Sequence, residues 1–196
     1  PVSGGGGVLM GATCVIASYR YGHLAAQAIE SVLNQTLNFD RVLFVDDGVG
    51  DCGHLPAIYP EVEYVLRPER LGIVANFNDM LARVETDRCM FLGADNWLDH
   101  STLEVTSAVD ADIVSYAAWL VKSGAPERWV VDVPHGSSLY NVAKARGVGC
   151  YEASGNQNTE EDSVMFARMR TEGATFTNLP DTLLFYRWRH RRNFNR

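Results

Sequence analysis

From residue 8 onward, continuous apolar runs alternate with amphipathic stretches. Residues 8–17 are apolar and partly β-branched, and they end in the turn-rich Ser18-Tyr19-Arg20-Tyr21-Gly22, which predicts a buried strand and a loop. Ala25, Ala28, Ile29, Val32 and Leu33 then recur at helical spacing, with Asn34 as the expected end. Residues 41–45 predict a short strand closing on Asp46-Asp47-Gly48. Strand, helix and strand within fifty residues imply a parallel pair joined by a right-handed crossover.

The alternation continues. Residues 63–66 predict a third strand, and Ile73, Phe77, Met80, Leu81 and Val84 a second amphipathic helix. A fourth strand is expected over 88–92, running into Gly93-Ala94-Asp95-Asn96. Ser101 and Glu104 have capping-box spacing, so a helix is expected to start there. Residues 113–116 and 129–133 are further strand candidates. Beyond Pro134 the periodicity weakens: 147–158 reads as a long polar loop, 162–172 as a helix and 183–186 as a last strand. The pattern carries no internal repeat and no linker that would separate two domains.

Composition narrows the class. The chain has 196 residues, 46% hydrophobic and 21% charged, the balance of one sizeable globular domain. The net charge of −7 argues against broad binding to nucleic acid or anionic membrane, both of which need a positive field. The last ten residues are the local exception, with five arginines, one histidine and no acid. That cluster suits a small anionic ligand, although a solvated basic tail has the same composition. Cys14, Cys52, Cys89 and Cys150 show no zinc-type pairing, and Cys14 and Cys89 sit in apolar runs, so a reducing, cytoplasmic location is expected. No run reaches the roughly 18 apolar residues of a membrane span. Residues 1–7, with four glycines, read as a flexible lead-in. His23, His54, His100 and His135 have no site context and are expected at the surface or as caps.

Three acidic clusters fall where strands or loops end: Asp46-Asp47, Asp95-Asn96 and Glu160-Glu161-Asp162. In open parallel sheets ligands bind at the carboxyl ends of strands. Carboxylates there accept hydrogen bonds from a ribose or base, or hold a hard divalent cation. Taken singly, each is equally a turn former or a helix cap.

Several blocks resemble the inverting family 2 glycosyltransferases of the GT-A fold. They are Ile16-Ala17-Ser18-Tyr19, the run from Ala28 through Gln35-Thr36, Val45-Asp46-Asp47-Gly48, Leu71-Gly72 followed by Asn78, and Phe91 through Asn96. Glu161-Asp162 and Tyr186-Arg187-Trp188-Arg189-His190 complete the series, so that the resemblance spans about 12–192. It implies an α/β, Rossmann-like, mostly parallel central sheet flanked by helices in one GT-A domain over 8–196. Residues 8–100 would form the nucleotide-binding half, and 101–196 the acceptor and catalytic half.

The resemblance also implies roles. Ala17, Ser18, Tyr19, Asn78, Ala94 and Asp46 or Asp47 would hold the nucleotide. Asp95 would ligate Mn²⁺ or Mg²⁺, with His190 completing the metal site and Arg191 or Arg192 neutralising the diphosphate. Asp162 would be the general base. The donor would be a nucleoside diphosphate sugar, with a UDP-sugar favoured, and the acceptor a hydroxyl. The basic tail would close over the donor diphosphate.

Three departures qualify the match. Gly93 stands where the family's DxD motif has its first acid, and Asn96 follows Asp95 where a second acid is usual. Phe77 replaces an arginine found in many relatives. The QxxRW motif of processive enzymes is missing, which favours transfer of a single hexosyl unit. A catalytically degenerate sugar-nucleotide-binding module and a nucleotidyltransferase are the alternatives. The second would need a glycine-rich, basic phosphate loop, which Ser18-Tyr19-Arg20-Tyr21-Gly22 is not.

Overall fold

The computed structural model describes residues 11–122, 125–130, 133–152 and 161–188. Four strands form its parallel core, β1 (Ala12–Ser18), β2 (Arg41–Asp46), β3 (Glu63–Leu66) and β4 (Arg88–Gly93), in the order β3-β2-β1-β4. β1 and β4 are buried along nearly their whole length, which is why they read as unbroken apolar runs. Their side chains alternate between two cores. Cys14 and Ile16, with Phe44, Met90 and Leu92, pack on α1 (Ala25–Leu33) through Ala25, Ala28, Ile29 and Val32. Val15, Leu43, Val45, Cys89 and Phe91 face the other way, onto Met80 and Leu81 of α2 (Ile73–Ala82).

The two crossover helices therefore cover opposite faces of the sheet. The strand order reverses between β1 and β4, and this topological switch point opens a crevice at the carboxyl ends of the strands. Cys14 and Cys89 are core residues, as their apolar context predicts. The mostly parallel α/β sheet flanked by helices agrees with the expected fold class.

The second half departs from the sequence pattern in several places. β5 (Trp97–Leu98), α3 (Thr102–Ser107), β6 (Ile113–Val121), β7 (Glu127–Trp129), β8 (Leu139–Asn141), α4 (Val142–Gly147), α5 (Glu161–Thr171) and β9 (Phe176–Arg187) follow in order. The strand expected over 113–116 runs on to Val121; the candidate at 129–133 meets β7 (Glu127–Trp129) only at Trp129, and its residues 131–132 lie outside the described residues. The last strand starts at Phe176 rather than 183, and β8 and α4 had no sequence counterpart. β9 concealed itself because Pro180 and Asp181 form a bulge: Tyr116 pairs with Leu179 and Ala117 with Thr182, so the ladder skips both residues.

The capping box at Ser101 does not form. Ser101 Oγ donates to Asp99 Oδ1 at 2.7 Å, and Glu104 accepts a hydrogen bond from Thr36 Oγ1 at 2.6 Å. Ser101 is taken up by a local turn with Asp99 and Glu104 by a tertiary contact with Thr36, and both compete with the cap. Among the described residues, no helix is long and apolar enough to cross a membrane.

Candidate active site

Ser18 and Asp46 are register partners at the carboxyl ends of β1 and β2, and Gly93 lies opposite Ala17 at the end of β4. The ladder continues one residue past the strands. Asp47 donates its amide to Ser18 O at 2.9 Å, Ala94 to Ala17 O at 2.9 Å, and Arg67 to Asp46 O at 3.1 Å. These bonds draw the blocks around 17–19, 46–47 and 94–95 into one crest above the switch point. Ala94 and the Ser18 side chain are buried in it, while Tyr19 is half-buried and carries the Arg70 guanidinium 4.2 Å from its ring centroid. Arginines flanking an aromatic ring at a strand end make an anion- and base-friendly wall.

Asp46 and Asp47 are both buried, and backbone amides engage both carboxylates. Asp46 accepts from Val49 and Gly50 at 3.2 and 2.8 Å, and Asp47 from Leu71 and Gly72 at 3.0 Å or less. Gly48 has φ +79°, and a Cβ there would lie 2.3 Å from Arg70 N, so the chain crossing tolerates only glycine. Asp47 thus ties the end of β2 to the entrance of α2. Asn78 is also engaged: its amide donates to Tyr151 O and accepts from Tyr151 N, both at 2.9 Å. That pairing clamps α2 to the segment ahead of α5.

Asp95 stands two residues past the end of β4. A Cβ on Gly93 would meet Asp95 Oδ1 at 2.7 Å, so the missing first acid of the motif leaves the space that the Asp95 carboxylate fills. Asn96 is buried, and its Oδ1 accepts from the Arg187 amide at 3.0 Å, which fastens β9 to the crest. Trp97 stacks on Phe185 with ring centroids 5.1 Å apart and lies under the Arg187 guanidinium, so its role is to anchor β9. The fastening brings Tyr186 into the site. Burial is the main reason its phenol is harder to ionise, and the negative charges of Asp95 and Asp162 add to the effect. Tyr186 therefore stands within electrostatic reach of the two carboxylates that the sequence separates by 67 residues.

Asp162 is the second residue of α5 and half-buried. Its Oδ1 accepts the Ser163 amide at 2.7 Å, and the Gly136 backbone lies against the same carboxyl, a Cβ there falling 2.9 Å from Oδ2. The pKa of Asp162 is raised. Burial is the largest cause, and the backbone amides of Ser163 and Gly136 oppose it. His190, Arg191 and Arg192 lie outside the described residues, as does Glu160.

Nothing in the hydrophobic pattern marks the turn at 135–138. His135, expected as a surface or capping residue, packs its ring edge-on against Tyr116, centroids 4.9 Å apart. Its Nδ1 accepts from Ser137 N at 3.2 Å, so Nε2 carries the proton and donates to Tyr116 O at 3.0 Å. Burial lowers its pKa to about 4 from the ordinary 6.5. Between those values the unfolded chain binds the proton that the folded chain refuses, so stability is lost as pH falls from 6.5 to 4. The loss is on the order of 3 kcal/mol at 1.36 kcal/mol per pH unit. Urea unfolding at stepped pH should show the wild type losing more stability over this window than His135→Gln. Parallel curves for the two proteins would refute the assignment.

Comparison with known proteins gives a consistent family signal. The model described as glycosyl transferase family 2 matches residues 13–132. No curated protein matches the chain by sequence. Among solved structures, the crystal structure of S. aureus TarS 1-349 in complex with UDP-GlcNAc superposes with a TM-score of 0.77 at 14% identity, over 92% of this chain and 59% of that one. The mannosyltransferase PcManGT from Pyrobaculum calidifontis, in complex with GDP-Man and Mn2+, superposes with a TM-score of 0.73 at 16% identity, over 92% of this chain and 57% of that one. The chain thus spans somewhat under two thirds of the length of these relatives.

Proposed function

Because the chain belongs to glycosyl transferase family 2, we propose that it transfers one sugar from a nucleoside diphosphate sugar to a hydroxyl acceptor, with inversion and with help from a divalent cation. The observation that carries this reading is the convergence on Tyr186. A carboxylate just past the end of a core strand, Asp95, and a half-buried carboxylate with a raised pKa, Asp162, both act electrostatically on that phenol.

In this reading the backbone of Ala17, Ser18 and Tyr19, the Tyr19 ring and Ala94 line the nucleotide subsite. Asp46 and Asp47 shape it, and the lone pairs left free by the loop amides face a ring N–H or a ribose hydroxyl. Asp95 is the cation ligand. One hard oxygen at a strand end suits Mg²⁺ or Mn²⁺, which are commonly held by one or two carboxylates together with substrate phosphates. His190 would add a ligand, and Arg191 and Arg192 would face the diphosphate. When bound, the cation would neutralise the departing diphosphate. Asp162 takes the acceptor's proton as its oxygen attacks the anomeric carbon. The relatives in complex with UDP-GlcNAc and with GDP-Man and Mn2+ support the donor class.

The missing first acid at Gly93 favours one competing reading, a module that binds sugar nucleotides without turning them over. Release of nucleoside diphosphate from a panel of UDP- and GDP-sugars, with Mn²⁺ or Mg²⁺ and with mixed hydroxyl acceptors, separates the two. Metal-dependent release from at least one donor is the expected result. Calorimetric binding of a nucleoside diphosphate without release from any donor would decide for the binding module.

A further inference from the structure

We propose that Gly136 is a positioning residue for the general base: its backbone amide, carried on a turn that Tyr116 holds rigid, fixes the direction in which Asp162 presents its carboxylate. The proposal rests on the reading of Asp162 as the base. It assigns a task to a turn 26 residues upstream in sequence.

The hydrogen bonding of the turn singles out Gly136. His135 donates its amide to Ser138 Oγ at 3.0 Å, Ser137 donates to His135 Nδ1 at 3.2 Å, and Ser138 donates to His135 O at 2.8 Å. Three amides therefore close the turn on itself, and the Gly136 backbone faces the Asp162 carboxyl instead, its Cβ position 2.9 Å from Oδ2. Tyr116 braces the turn from β6. It is fully buried, its hydroxyl donates to Ser137 O at 2.5 Å, and its carbonyl accepts from the His135 ring.

Glycine is needed at 136 for room. The residue is not among those with positive φ, so the backbone would accept alanine without strain. What alanine would meet is Asp162: a Cβ at 136 would lie 2.9 Å from Oδ2. A carboxylate rotates far more readily than a turn pinned by a buried tyrosine, so Asp162 gives way and the fold survives. Oδ1 is already bound to Ser163, which leaves Oδ2 as the oxygen whose direction Gly136 controls.

The test is a double-mutant cycle on the full chain with the donor that it turns over. Gly136→Ala should lower kcat on the order of 100-fold, the effect of misplacing a reacting group by about 1 Å. Donor KM and the affinity for nucleoside diphosphate should stay unchanged. In an Asp162→Asn background the same substitution should cost nothing further, because there is no base left to misplace. An equal loss in both backgrounds, or a loss in donor affinity that matches the loss in kcat, would overturn the positioning role while leaving Asp162 as the base. Normal turnover in Asp162→Asn alone would remove the base reading, and this proposal with it. If thermal unfolding shows that Gly136→Ala does not fold, replacing Gly136 by glycolic acid deletes the N–H without adding a Cβ. Reduced kcat in that ester supports the proposal, and normal kcat overturns it.

Discussion

Asp162→Asn should abolish most turnover while binding nucleoside diphosphate as tightly as the wild type. Losing a general base costs roughly 10²- to 10⁴-fold in rate, because the acceptor hydroxyl must then be deprotonated by water. Donor binding should be spared: Asp162 is on α5, and the nucleotide subsite is built from β1, β2 and β4. Asparagine keeps the size of the side chain and an oxygen for the Ser163 amide, so helix stability changes by no more than a cap's worth, about 1 kcal/mol. The pH profile gives a second reading. Burial raises the pKa of Asp162, so activity should fall on the acid side at a higher pH than an ordinary aspartate would set. The active form is the ionised one, so rate is lost as pH drops through the raised pKa. Near-normal turnover in the variant would take Asp162 out of the mechanism. A product that keeps the anomeric configuration of the donor would exclude a single displacement altogether.

The second large effect is expected at Asp95. Asp95→Ala should lower metal-supported turnover on the order of 100-fold or more, since charge stabilisation of a leaving diphosphate by a cation is worth several kcal/mol. Gly93 has no side-chain oxygen, its carbonyl accepts the Asn96 amide, and the Asn96 side-chain oxygen is engaged by the Arg187 amide, so no other side chain of this segment can take the place of Asp95. Calorimetric titration with Mn²⁺ in the presence of nucleoside diphosphate should lose its heat in the same variant, which separates metal binding from catalysis. Undiminished turnover in excess chelator, or an Asp95→Ala protein that still binds Mn²⁺ with nucleotide, would exclude the ligand role. The two variants should also differ in kind. Asp162→Asn retains the metal and loses the proton acceptor, whereas Asp95→Ala loses metal-assisted departure of the leaving group.

The core strands and their crossover helices were legible because their signal is local. β1, β2 and β4 are covered on both faces and therefore read as apolar runs. α1 and α2 cover one face each and show a single apolar stripe. β7, β8 and α4 are only three to six residues long, and β8 exists because it pairs with both β4 and β6. No window of eleven residues contains the partner that stabilises such an element, so periodicity cannot report it. β9 was read four residues long instead of twelve for a related reason: the bulge at Pro180-Asp181 breaks its alternation, and pairing along β6 carries the strand across the break.

The site divides along the same line. That Asp46, Asp47, Asp95 and Asp162 stand at strand and helix ends was readable, because the apolar run before each of the first three stops there and a helical pattern follows the fourth. What each carboxylate faces was not. Asp47 meets the amides of Leu71 and Gly72, Asp162 the amide of Gly136, and Asn78 the backbone of Tyr151. Each of these partners lies at least 24 residues away, and most are backbone groups that every sequence possesses, so side-chain identity carries no trace of the pairing. The sequence by itself therefore determined which groups are charged and at which ends of the core they sit. Only the tertiary structure decided which lone pairs remain free for a ligand, because that depends on where a distant loop directs its amides.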